Sequence, residues 1–179
     1  MPANRISIPL LFALIAAGTM MLFVLGTWLA GPEAFTGWPV WLGRSLVILM
    51  AAIATSAERR VKGGILDFRS AFRVAFGVLA LAIVAQSLFV WLIPNVLDPH
   101  FNQRLTPVIL ANAEKSYRQF GATEDQLRQA LDDIRTHNQF SLGRVIEGTG
   151  FQLILFGIIA LLIAVTVRSR KGPTPKPGL

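Results

Sequence analysis

The chain is predicted to be an all-α membrane protein: four transmembrane helices, with an extracytoplasmic amphipathic two-helix insert between the third and the fourth. Three observations carry that prediction. Four long segments are almost free of charge, and none shows the apolar–polar alternation that a membrane β-barrel needs. Only 15% of the 179 residues are charged against 53% hydrophobic, where a soluble domain has about 25% charged. Because water is absent at bilayer depth, each segment must satisfy its own backbone hydrogen bonds, and apolar runs of this length do so as helices.

The elements follow in order within a single integral membrane domain, 1–179. The first span, about 6–30, carries no charge and exceeds the roughly 20 residues that cross the hydrocarbon. It is also too long for a signal-peptide core of roughly 7 to 15 residues, and no clear small-x-small cleavage site follows it, so it is expected to stay in the mature protein. Gly31 to Pro39 is bounded by Gly-Pro and Trp-Pro and reads as a tight turn. The second span, about 40–57, holds one charge, Arg44, about one turn in, where it is expected to snorkel to the interface. The 58–73 loop has a flexible Gly63-Gly64 corner, and Asp67 or Ser70 is placed to cap the third span, about 74–93. Phe68 and Phe72, at i and i+4, give that helix start an apolar face. The fourth span covers about 145–167, and the tail 168–179, with Pro173, Pro175 and Pro177, is expected to be disordered.

The insert, 94–143, is too polar to span. Asp98-Pro99 reads as a helix start and Thr106-Pro107 repeats the signal, after which Val108, Ile109, Ala113, Tyr117 and Phe120 keep near-helical spacing until Gly121. Thr123 to Gln126 matches a capping box, and Leu127, Ala130, Leu131 and Ile134 give the second helix an apolar face. Six basic and six acidic residues between Asp98 and Arg144 leave this insert nearly neutral. Such a surface suits a cap resting on the bundle, or one that docks a protein partner, better than adsorption to anionic lipid.

Orientation comes from the ends of the spans. Arg5, then Arg59, Arg60, Lys62, Arg69 and Arg73, then Arg168, Arg170, Lys171 and Lys176 fall on one side of an even-span layout. The other side has Arg44 and the six basic residues of the insert, spread over about twice the length. Both termini are therefore expected in the cytoplasm, and Trp28, Trp38, Trp41 and Trp91 agree by falling at the opposite, outer ends. Five of the loop residues, Arg59, Arg60, Lys62, Arg69 and Arg73, are candidate anionic-lipid contacts, with interfacial anchoring as the plainer explanation.

Candidate chemistry is sparse. With no cysteine there is no disulfide, thiolate metal site or cysteine nucleophile. His100 and His137 have no recognised ligand spacing, and no G-x-S-x-G, H-E-x-x-H or P-loop occurs, so no cofactor, metal or reaction is implied and an enzyme is not expected. The net charge of +7 hugs the span ends rather than forming a stripe on a soluble face, which argues against nucleic acid. Polar residues at membrane depth are the better signal. Gln86 and Ser87 in the third span lie level with Gln152 in the fourth, so Gln86 is expected to hydrogen-bond Gln152, and Arg144 to pair with Glu147 at i and i+3. Gln86, Arg144, Glu147 and Gln152 thus outline an outward-facing polar vestibule, or else interhelical glue with an interfacial ion pair. Small residues, Ala13, Ala17 and Gly18; Ala51, Ala52 and Thr55; Ala71 and Ala75; Gly148, Gly150 and Gly157, are expected to let the helices pack closely.

Residues 64–72 (Gly-Ile-Leu-Asp-Phe-Arg-Ser-Ala-Phe) before the third span, Asp98-Pro99-His100-Phe101 after it, and the Gly121 to Leu127 helix start before the fourth together resemble a bacterial family of small four-span membrane proteins catalogued only as a domain of unknown function. The resemblance covers roughly residues 7–167 and implies a bacterial inner-membrane location with the same four-span plan. It implies no functional residue. A non-enzymatic accessory or scaffold subunit docking a partner through its outer helices is the expected role, with a small transporter or channel as the alternative.

Overall fold

A computed structural model describes residues 7–168. The expected disorder of 168–179 and the basic residues Arg5, Arg170, Lys171 and Lys176 lie outside them, apart from Arg168 itself. The described residues form α1 (Ile8–Ala30), α2 (Pro32–Thr36), α3 (Pro39–Val61), α4 (Phe68–Leu92), a π-helical turn (Ile93–Leu97), α5 (Pro99–Gln119), α6 (Glu124–Thr136) and α7 (Leu142–Val167). Four helices, α1, α3, α4 with its π turn, and α7, are long and apolar enough to cross a membrane. The described residues are all-helical, and the protein is multi-pass.

α4 is the centre of the bundle, packing on α1, α3 and α7. Its apolar residues recur on every side, and the inward set, Ala71, Val74, Ala75, Val78, Leu79, Ala82 and Ile83, is buried. Opposite them lie Ala13, Ala16 and Met20 of α1, Val47, Ala51 and Ala54 of α3, and Phe156, Ala160 and Ile163 of α7. Alanine at the contacts lets helix axes approach where lipid supplies no hydrophobic drive for association. Large residues point the other way: Leu14, Leu22, Leu49, Val84 and Leu162 are exposed, an outer surface suited to acyl chains. Of the small residues, Ala13, Ala17, Ala51, Thr55, Ala71 and Ala75 are buried. A Cβ on Gly18, Gly148 or Gly150 would meet open space, so these do not mediate packing, and Gly157 faces Phe76 at 3.7 Å. Close packing between two of the long helices falls instead at Gly43, where a Cβ would lie 3.0 Å from the Phe23 ring.

At the terminal side of the bundle, Gly63 and Gly64 adopt φ of 70° and 84°, which a side chain would strain. They reverse the chain toward Asp67, whose carboxylate accepts the Ser70 N–H and caps α4. Phe68, Phe72 and Phe76 stack in a ladder one turn apart.

At the other side the tight turn expected between the first two spans contains a short helix, α2, because Pro32 supplies a fixed φ at a position whose N–H has no helical partner. Thr106-Pro107 does not start a helix: α5 runs through Pro107. Asp98 sits at its N-cap without a side-chain cap bond, its carboxylate instead taking Arg104 in an ion pair. The first half of α5 docks on the bundle through Phe101 and Leu105, both fully buried, with Phe35 edge-on to Phe101 at 5.2 Å. Gly121, at φ 72°, ends the helix and turns the chain back, and α6 packs on α5. The capping box is formed: Thr123 N–H donates to Gln126 Oε1 at 3.0 Å and Gln126 N–H to Thr123 Oγ1 at 3.4 Å. Replacing Thr123 by Ala should cost α6 about 1 kcal/mol, read as severalfold faster amide hydrogen exchange in Glu124–Thr136 with the bundle unchanged.

Candidate functional site

The insert-side end of the bundle holds a half-open chamber of about 330 Å³. Its walls come from six elements because α5 and the loop before α7 close over the gap left between α1, α3, α4 and α7. α1 supplies Phe23, Val24 and Thr27; α2 supplies Phe35 and Thr36; α3 supplies Val40 and Arg44. Gln86 and Val90 of α4 and Gln152 of α7 form the far wall, and Ile109 of α5 with Gln139 and Phe140 forms the roof. Hydrogen bonds hold that roof in place. Asn95 Nδ2 donates to the carbonyls of Trp91 (2.8 Å) and Phe140 (2.9 Å), and Asn112 Nδ2 donates to Thr36 Oγ1 at 3.2 Å.

The polar wall residues divide into two sets. Thr27 donates to the Val24 carbonyl at 2.9 Å, Thr36 to the Pro32 carbonyl at 3.1 Å, and Gln139 to the His137 carbonyl at 3.2 Å. Arg44 Nε and Gln152 Oε1 are buried and have no partner. Leaving a buried donor or acceptor unmet costs about 1–3 kcal/mol each. Among the described residues no carboxylate lines the chamber, and Arg44 is the one charged residue in its wall. The Arg44 guanidinium lies 5.0 Å from the Trp41 ring centre, while Nε is buried.

The expected pairings at this end form differently. Gln86, 8% exposed, shares the chamber with Gln152, but the two do not hydrogen-bond each other. The interhelical bond at this depth joins Ser87 and Thr149, whose hydroxyls are 2.7 Å apart. Arg144 pairs not with Glu147 but with Asp133 at the end of α6, its Nη2 lying 2.8 and 2.9 Å from the two carboxylate oxygens. Glu147 is exposed on α7 and has no ion-pair partner among the described residues. Arg144 instead reaches back across the 137–141 loop and ties α6 to α7. Asp133 also lies 3.1 Å from His137 Nδ1.

At the terminal side a second groove, about 650 Å³, brings Lys62 and Arg73 together with Ser7, Ser70 and Glu58 above an apolar floor of Leu10, Ala13, Gly77 and Leu81. Glu58 holds Lys62 at 3.1 Å. Arg59 is used locally, donating to the Gly64 carbonyl at 3.0 Å, and Arg60 and Arg69 are exposed away from the groove. No group of three His, Asp or Glu side chains that could hold a metal comes together among the described residues.

Reading along the sequence brought out Gln86 and Gln152 but passed over Arg44, Thr27, Gln139 and the aromatic walls. Arg44 carried the one available signal, as the single charge inside a span.

No curated protein and no solved structure matches the chain. A family model does, over residues 11–169, which takes in all four long apolar helices, the roof and the chamber. By that match the chain belongs to the family described as "Protein of unknown function (DUF4199)".

Proposed function

We propose that this is a non-enzymatic protein of the bacterial inner membrane, with both termini cytoplasmic, whose chamber is an outward-facing vestibule that binds a solute under the roof made by α5. The observation that supports this most directly is that Arg44 and Gln152, two residues with a buried and unpartnered polar atom each, line one half-open chamber. Polar groups at membrane depth are costly and ordinarily serve a pathway or a binding site. The dense basic residues of the 58–73 loop support the orientation by the positive-inside rule. They would meet anionic headgroups of the inner leaflet, with Lys62 and Arg73 at the groove and Arg59, Arg60 and Arg69 around it.

The chain has no native cysteine, so single cysteines report cleanly. Cysteines at Gln86, Gln139 and Gln152 should react in intact cells with a small membrane-impermeant thiol reagent, and one at Lys62 should react only after permeabilisation. Inert chamber positions would remove the vestibule, and labelling of Lys62 from outside would invert the topology.

A second reading, an accessory or scaffold subunit that docks a protein through the 94–143 insert, draws on the far end of the α5–α6 hairpin. Phe120 is 89% exposed there and Tyr117 is also exposed, beyond the part of α5 that packs on the bundle. Crosslinked co-purification that recovers one specific protein from wild-type membranes but not from a Phe120→Asp variant would support it.

A further inference from the structure

We infer that the chamber takes a small monoanionic carboxylic acid with an apolar body, its carboxylate on Arg44; this deepens the vestibule reading and rests on it. Three features of the walls select that class. The charge is single and positive: Arg44 is the one ionised lining residue, so one negative charge is balanced and two are not. A phosphate or sulfate dianion needs several converging donors. Here Thr27, Thr36 and Gln139 already donate to backbone carbonyls, so such an ion would meet Arg44 and the neutral amides of Gln86 and Gln152 with no second cation to balance it.

The remainder of the surface is apolar. Phe23, Phe35, Ile109 and Phe140 close the space on the side of α1, α2 and the roof, where an inorganic anion would lose its hydration without replacement. An aromatic or aliphatic body would gain by leaving water there. Arg44 and Gln152 then have complementary uses. The Arg44 guanidinium, on the chamber wall, donates to a carboxylate oxygen, a charge-assisted bond stronger than a neutral one. The Gln152 amide, on the same wall, can present its N–H to that carboxylate or its oxygen to an O–H of the ligand, according to which way it is turned. Finally, 330 Å³ corresponds to roughly eleven water volumes of about 30 Å³ each, room for an acid of about ten heavy atoms.

An acid of this kind reaches the chamber from the aqueous side as a soluble compound or from the bilayer as a fatty acid, and the test separates the two. The full chain in neutral phosphatidylcholine nanodiscs is titrated with benzoate, octanoate and palmitate, and with benzamide and octanamide as neutral matches, following Trp fluorescence and ligand-observed NMR. Saturable binding of at least one acid is expected, at least tenfold tighter than its amide, weakened tenfold or more by Arg44→Gln and severalfold by Gln152→Leu. Benzoate binding marks a soluble acid and octanoate binding alone a short fatty acid, and either upholds the class; palmitate, with its sixteen-carbon chain, exceeds the chamber, so palmitate binding alone would overturn it. Ile109→Trp, which fills the chamber without touching its charge, should abolish binding and serves if Arg44→Gln fails to fold. Acids and amides binding alike, Arg44→Gln or Ile109→Trp leaving acid binding unchanged, or no acid binding at all would overturn the inference. In each case chamber cysteines that still react from outside would leave the vestibule standing, whereas inert ones would remove both.

Discussion

Phe101→Ala should release the roof from the bundle. Phe101 is 0% exposed and packs edge-on against Phe35 from the short helix between the first two spans, with the Arg104 guanidinium 5.4 Å from its ring centre. Around it Val24, Ile93, Leu105 and Phe140 complete a second core that is separate from the alanine-rich core of the bundle. Truncating a buried Phe costs about 3–5 kcal/mol when the site cannot collapse. That loss falls on the few contacts that fasten α5, because α6 packs on α5 and adds no helix packing of its own against the bundle. The four-helix core is not touched, so the expected result is local. Proteolysis of the insert in Phe101→Ala should accelerate by two or more orders of magnitude while the detergent-solubilised bundle keeps its helical content. Phe120→Ala, altering a side chain that is 89% exposed, should change neither by more than about 0.5 kcal/mol. Equal protease resistance in the two variants would mean that the roof is held by something other than this cluster.

Gly43→Val should act on the bundle and the chamber together. A Cβ at Gly43 meets Cδ1, Cγ and Cε1 of Phe23 at 3.0, 3.2 and 3.4 Å, so the ring must move before any larger side chain fits. Overpacking of this kind costs about 1–3 kcal/mol. Phe23 also lines the chamber, which gives the displaced ring somewhere to go. The melting temperature in detergent should therefore fall, and a cysteine at Gln86 should become less reactive as the ring enters the cavity. Phe23→Leu in the same chain should recover most of both losses, since it removes the ring that the introduced valine strikes. A double variant no better than the simple sum of the single effects would show that the two residues do not meet.

Much of this architecture is legible along the chain because it is written in periods and runs. A bilayer demands internally satisfied backbone over a fixed thickness, so charge-free segments of this length state the spans without reference to their neighbours. The Thr123–Gln126 capping box and the Gly121 stop are similarly local, each closing hydrogen bonds within a few residues. The Thr106-Pro107 start failed for an equally local reason: α5 already runs from Pro99, and a proline within a continuing helix removes one hydrogen bond without ending it when tertiary contacts at Phe101 and Leu105 hold the preceding turns.

Side-chain partners were another matter. Equal depth in two helices placed Gln86 and Gln152 at one level, but depth does not state rotation, and it is Ser87 and Thr149 that meet across the interface. Spacing on one helix paired Arg144 with Glu147, whereas the loop brings Asp133 from another helix within 2.8 Å. By itself the sequence determined four membrane helices and a two-helix insert, consequences of composition and local hydrogen bonding, and its short motifs carried the resemblance to the family. The tertiary structure alone decided that Arg44, Gln86 and Gln152, from three different spans, border one half-open chamber beneath Ile109 and Phe140. A cavity is a relation among surfaces distant in the chain, set by how each helix is turned about its axis, and no single segment encodes it.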